Sequence, residues 1–105
     1  MNRVVYEVVA ERAAGRCEGC FHAFGLSLKD RPELDHFEGR ARSESVETCW
    51  MLCGSCHAGK SANDPSKAYW LARFAIHAEK YGYRVALVAA LKRLEFDLVR
   101  LGVSP

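Results

Sequence analysis

Two cysteine pairs, Cys17-Glu-Gly-Cys20 and Cys53-Gly-Ser-Cys56, constrain the fold of this chain more than any other feature. Each C-x-x-C turn aims two sulfurs at one point, and two such turns supply the four soft ligands of a tetrahedral zinc site. The stretch between the pairs is longer than in a simple zinc ribbon, so an inserted element must lie there, and a hairpin fits the space. Buried or redox-active thiols are the rival reading of a lone C-x-x-C motif. Cys49, the odd cysteine, stands four residues before Cys53 and reads as a packed core thiol, because a free cysteine behaves as a small hydrophobe.

A metal staple suits the size. With 105 residues, half of them apolar, the chain reads as one domain whose burial alone gives modest stability. The five cysteines are an odd number, and the first residues lack a charged start, apolar centre and small-residue cleavage site. Both observations predict a reducing, cytoplasmic setting and a chain that is not secreted, with thiolate–metal chemistry in place of disulfides. No apolar run approaches the roughly 20 residues of a bilayer span, so a soluble chain with no membrane partner is expected. A formal charge of +2 is too weak by itself to establish a nucleic-acid partner.

Local patterns supply the rest of the frame. Val4, Val5, Val8 and Val9 recur at helical spacing, which predicts a helix over residues 4–14 that Gly15 ends before the first cysteine pair. Residues 34–37 fit a strand, 38–45 a polar hairpin loop, and 46–52 the returning strand. Residues 54–62 read as a short helix carrying His57 and Lys60. Asp64-Pro65 is a helix start, since aspartate caps free amides and proline suits the first helical position. Helices over 66–81 and 84–101 follow, hinged at Gly82.

The reactive groups lie on this frame. Zinc held by Cys56 at the start of a helix would fix His57 in the first turn, while the strand presents Asp35 and His36 on opposite faces. One of that pair can join His57 on a metal while the other points elsewhere. A carboxylate with a neutral imidazole makes a sparse set of ligands that leaves positions for water and a phosphate oxygen. A lone histidine in such a place is ordinarily structural. Three candidates converging on one zinc-braced module shift the balance towards a site.

The combination Cys17-Glu-Gly-Cys20, Leu34-Asp-His-Phe37 and Leu52-Cys-Gly-Ser-Cys-His-Ala-Gly-Lys-Ser61 resembles the HNH, or ββα-metal, endonucleases in the zinc-containing variety with two cysteine pairs. The resemblance covers residues 10–65, about half the chain. It implies a structural zinc on Cys17, Cys20, Cys53 and Cys56. It also implies His36 as general base, and Asp35 and His57 as ligands of a catalytic divalent ion, Mg2+ or another such as Mn2+ or Ni2+. That ion would lie at the scissile phosphate and stabilise charge on the phosphorane and the leaving 3′ oxygen. The substrate class it implies is DNA, cut by nicking or double-strand cleavage. Family members of this size occur in phages, mobile elements and restriction systems. The family's middle asparagine normally stands five residues before the cysteine at position 53, where this chain has Thr48. That asparagine braces the hairpin loop and helps orient the base. Threonine can still donate and accept a hydrogen bond, with shorter reach.

Basic residues extend the expectation. Lys60 follows His57 by three positions, which puts both on one helix face within reach of a backbone phosphate. The amino end of that helix would also favour phosphate. Arg40 and Arg42 in the hairpin loop are further nucleic-acid candidates, with Lys67 and Arg73 beyond them; an ordinary solvated face is the plainer reading of each. In the last helix, Leu87, Leu91, Leu94, Leu98 and Leu101 alternate steps of four and three. Packing on the chain's own core, with Tyr69, Trp70 and Phe74 against that seam, is the plainer reading. Homodimerisation, or entry into a larger phage-type assembly, is the sharper one. His77 is expected on the surface.

The resulting expectation is a small α+β fold. One domain over residues 1–105 would hold a zinc-braced ββα-metal, treble-clef-like core over about 10–65, with an N-terminal helix and a helical extension over about 66–105. Its function would be metal-dependent DNA hydrolysis. The rivals are a catalytically impaired zinc module that binds nucleic acid or protein, and a scaffold for assembly.

Overall fold

A computed structural model describes residues 2–38, 44–60, 64–100 and 102, the side chains of 64–66 excepted. The described residues form four helices and one two-stranded antiparallel sheet in the order α1 (Arg3–Ala13), β1 (Pro32–His36), β2 (Cys49–Cys53), α2 (Gly54–Lys60), α3 (Asp64–Tyr81) and α4 (Arg84–Arg100). The chain divides into two compact units, Met1–Ala58 and Gly59–Pro105. No helix among the described residues is long and apolar enough to cross a membrane.

In the first unit, Asn2 starts α1 by accepting hydrogen bonds from the backbone N–H groups of Val4 and Val5 at 2.9 and 3.2 Å. Ala14 and Gly15 end the helix with φ of 52° and 83°, the left-handed turn that satisfies its last carbonyls. Val5, Val9 and Ala13, four residues apart, form its buried face. They pack with Cys49 and Met51 of β2, and Leu34 and Phe24 close the edge of the cluster. Val4 and Val8, although equally apolar, face outward. Cys49 is thus the packed core thiol its position suggested, and burial pushes its thiol pKa up.

The register pairs Glu33 with Leu52, Leu34 with Met51, Asp35 with Trp50 and His36 with Cys49. Side chains alternate along each strand, so one face carries Leu34, His36, Cys49 and Met51 towards α1, and the other carries Glu33, Asp35, Trp50 and Leu52. The returning strand begins at Cys49, three residues later than Val46. Ser45 and Thr48 account for the delay. The Thr48 hydroxyl accepts from the Ser45 N–H at 3.2 Å, and the Ser45 hydroxyl accepts from the Thr48 N–H at 3.2 Å. These short polar side chains thereby stabilise a turn where β-forming residues alone predict extension.

In the second unit, α3 and α4 form an antiparallel hairpin. The turn is built at Gly82, whose φ of 73° suits glycine; Gly82 N–H donates to Glu79 O at 3.1 Å and Tyr83 N–H to Ala78 O at 2.9 Å. Helix α3 begins at Asp64, two residues before the 66–81 range read from sequence. Two expectations for this unit require correction. His77 is buried at 6% exposure, with its ring 5.0 Å from that of Tyr81 and 5.5 Å from that of Phe74. An imidazole has enough apolar surface to join such an aromatic cluster, and helical spacing alone does not say which face will be covered. The leucine seam is not the most buried stripe of α4 either. Ala86, Ala90 and Asp97 are, while Leu87, Leu94 and Leu98 are half-buried and Leu91 is exposed. Small side chains at the buried positions let two helices approach closely. Trp70 and Phe74 are buried as expected, whereas Tyr69 is exposed. Leu101 lies outside the described residues.

Candidate metal centre

The first cysteine pair is built by a turn that follows α1. Cys17 N–H donates to His22 O, Phe21 N–H donates to Cys17 O, and Phe21 takes a positive φ of 67° to close the loop. Cys53 ends β2 and Cys56 lies in the first turn of α2. The four sulfurs of Cys17, Cys20, Cys53 and Cys56 all lie within 4.8 Å of one another, with Cys20 Sγ and Cys53 Sγ at 3.9 Å. A tetrahedron of sulfurs around zinc has an edge of about 3.8 Å, so the cluster fits that ion. The amides of Gly19, Cys20 and Cys53 donate to Cys17 Sγ at 3.3, 3.4 and 3.3 Å. Burial works to raise the pKa of Cys17, but these N–H donors outweigh it and bring the thiol below its ordinary value. Burial pushes Cys20 and Cys56 the other way, most strongly Cys56, where neighbouring sulfur adds to the effect. Metal-bound thiolates relieve that conflict by placing a cation at the centre of the cluster.

The first cysteine turn is also tied to the sheet. Arg12 on α1 reaches Glu18 with Nε to Oε2 at 2.8 Å and Nη2 to Oε1 at 2.9 Å. The same guanidinium donates to the carbonyls of Val46 and Cys49, each at 2.8 Å. Glu18 in turn accepts from the Met51 N–H at 3.0 Å and donates its own N–H to Met51 O at 2.8 Å. Arg12 and Glu18 stand only six residues apart, but their backbone partners in and before β2 lie more than thirty residues away, and those the sequence does not signal.

Beside the cysteine cluster, Asp35 and His57 converge. Asp35 is buried, and its Oδ2 accepts from the indole Nε1–H of Trp50 at 2.8 Å. Its Oδ1 faces His57 Nε2 at 3.4 Å, and the imidazole remains 36% exposed against 4% for the carboxylate. The other imidazole nitrogen, Nδ1, lies 3.1 Å from Glu33 Oε1. The 3.4 Å between Asp35 Oδ1 and His57 Nε2 is near the roughly 3 Å that separates adjacent ligand atoms about 2.1 Å from one octahedral ion. Among the described residues, the four cysteines are the one place where three or more ligating side chains gather closely enough to hold an ion.

His36 leaves the opposite face of β1. Its Nε2 lies 2.9 Å from Glu44 Oε1, and Glu44 also accepts from the backbone N–H of Asn2. An ionised carboxylate can only accept, so a neutral His36 carries its proton on Nε2 and leaves Nδ1 as the basic nitrogen. The Asn2 amide, aided by His36, holds the Glu44 carboxyl below its usual pKa. Thr48 sits where the strand pair closes: its carbonyl accepts from Phe37 N–H at 3.1 Å, and its hydroxyl lies 3.0 Å from that of Ser45.

The basic candidates separate. Lys60 is the last residue of α2 and is counted with the second unit. Arg40 and Arg42 lie outside the described residues. Arg73 stacks over the Tyr69 ring at 5.7 Å, and Lys67 is exposed on α3. The amino end of α2 is covered: Ser55 N–H donates to Lys29 O at 3.0 Å, and the carbonyl of Leu28 lies against Gly54, where any Cβ would be only 1.9 Å from it. Trp50 and Glu33 are additions that the sequence reading missed. Glu33 stands two residues before Asp35 on an alternating strand, and that spacing could have placed it on the same face.

Compared with family models, curated proteins and solved structures, the chain shows no significant match. Function must therefore be read from the geometry of the site.

Proposed function

We propose that the chain is a metal-dependent endonuclease of the HNH type, hydrolysing DNA phosphodiester bonds on a zinc-braced ββα-metal core. The observation that carries this reading is the approach of Asp35 Oδ1 to His57 Nε2 at 3.4 Å, with His57 directly following Cys56 of the four-cysteine cluster. A zinc-binding scaffold has no need of that pair. In the proposed reaction, Asp35 and His57 would hold a divalent ion, Mg2+, Mn2+ or Ni2+, and His36 would be the base that takes the proton from the attacking water. An ion held there would supply positive charge to the developing negative charge of the reaction. Trp50 fixes Asp35 by binding its second oxygen. Thr48 replaces the family's asparagine as the brace of the loop, through its hydroxyl contacts with Ser45. Lys60, Arg40 and Arg42 would meet the DNA backbone.

One observation favours a second reading. His36 leaves the face of β1 opposite to Asp35 and His57, which would leave an impaired module that binds nucleic acid or protein through its zinc core. Supercoiled plasmid distinguishes the two. Purified zinc-loaded protein is incubated with Mg2+, Mn2+ or Ni2+, beside an EDTA control and a His36→Ala variant checked for native circular dichroism. Metal-dependent nicking that the variant loses supports the nuclease. No nicking with any ion, or equal nicking by the variant, overturns it, and DNA retention in a gel shift without cleavage would support the binding module.

A further inference from the structure

We propose that Glu33 is a positioning residue for His57, setting which imidazole nitrogen is offered to a cation at Asp35; the proposal rests on the metal-site reading above. His57 stands between two carboxylates, with Nδ1 at 3.1 Å from Glu33 Oε1 and Nε2 at 3.4 Å from Asp35 Oδ1. A neutral imidazole has one N–H, and ionised carboxylates only accept. Whichever nitrogen keeps the proton, the other presents a lone pair to a second acceptor, an approach that becomes favourable when a cation lies between them. The shorter contact, 3.1 against 3.4 Å, is the one to Glu33. The proton therefore belongs on Nδ1, donated to Glu33, and the lone pair of Nε2 faces Oδ1 of Asp35.

The surroundings of Glu33 are arranged for this. It shares a face of β1 with Asp35, two residues away, so the pleat spaces the two carboxylates along the imidazole. Its second oxygen faces Arg31 Nε at 3.9 Å, which turns the first towards His57. Gly54 leaves the space it occupies: a Cβ there would stand 3.0 Å from Glu33 Oε2. A carboxylate accepting the far N–H of a ligating histidine fixes the ring and makes it a better donor.

The test uses zinc-loaded, 15N-histidine-labelled full chain. Long-range proton–nitrogen spectra of the metal-free second site report the tautomer of His57, and titration followed by the electron paramagnetic resonance of free Mn2+ reports affinity without any turnover. In wild type the Nδ1–H tautomer is expected, and Asp35→Ala should abolish Mn2+ binding. Glu33→Ala should move His57 towards the Nε2–H form and raise the Mn2+ Kd roughly 10- to 100-fold. Glu33→Gln keeps the size and an accepting oxygen, so it should retain the tautomer and lose only a few-fold in affinity; it decides the matter if the alanine variant does not fold. An unchanged tautomer in Glu33→Ala overturns the proposal, as does an altered tautomer with Mn2+ affinity unchanged. Wild type that binds no Mn2+ would sink the nuclease reading, and the tautomer shift alone would then decide whether Glu33 orients the imidazole.

Discussion

Arg12 and Glu18 form a bidentate ion pair at 2.8 and 2.9 Å, with only 8% and 5% of their side chains exposed. The pair joins α1 to the first cysteine turn, and each partner also satisfies backbone groups of β2 or of the turn before it. Removing one member would take from the other's buried charge the ion pair that offsets its desolvation.

Glu18→Ala and Arg12→Ala should therefore each destabilise the zinc-loaded protein by about 3–5 kcal/mol, read by chemical denaturation. The double variant should be less unstable than the sum of the two losses. Additive losses would mean that the two side chains act independently.

Zinc affinity should rise with pH. Burial keeps the Cys20 and Cys56 thiols protonated above their ordinary range in the metal-free cluster, so binding must expel those protons. Acid restores the protons and opposes the metal, and each proton expelled adds about one log unit of affinity per pH unit. Competition with a chromophoric chelator from about pH 6 to about pH 8 checks the sign, and proton release on zinc addition to unbuffered protein gives the count. Removing zinc should also lower the thermal midpoint of the first unit.

Trp50→Phe keeps the aromatic volume but leaves Asp35 Oδ2 without its indole donor. A stability loss of about 1–3 kcal/mol is expected from the lost buried hydrogen bond to a carboxylate. Weaker Mn2+ binding should accompany it, because the carboxylate would be free to rotate away from His57.

Gly54→Ala should destabilise the fold by about 2 kcal/mol or more, because the new Cβ meets a backbone carbonyl instead of a flexible side chain. Gly15→Ala serves as the comparison: open space surrounds that site, so its cost comes from the positive φ of 83° alone.

Thr48→Val is nearly isosteric and removes only the hydroxyl shared with Ser45. About 1 kcal/mol of stability should be lost. Thr48→Asn tests the family's own choice at this position, and plasmid nicking at least equal to wild type is the expected result.

The sequence made the cysteine cluster legible because each pair is a local turn with its own spacing, and two turns need only one meeting point. The opposed faces of Asp35 and His36 were legible for a similar reason, since a strand alternates whatever it packs against. Glu33, Trp50 and the Arg12–Glu18 pair were not, because their partners are chosen by strand register and helix docking across long separations. The start of β2 was misplaced where the β-forming content of residues 46–48 met two hydroxyls that stabilise a turn. In α4 the leucines were conspicuous, but the covered stripe depends on how closely two helices approach, and alanines decide that.

The alternation of β1 makes the site intolerant of single-residue changes in length. Deleting one residue from β1 before Asp35 would not weaken the centre by degrees. It would exchange the two faces, turning a carboxylate towards the apolar side of α1 and an imidazole towards His57. Two-residue changes would preserve the handedness of the arrangement while shifting it along the strand. Survival under paired insertions, with failure under single ones, is the pattern that selection would leave in the length of this strand.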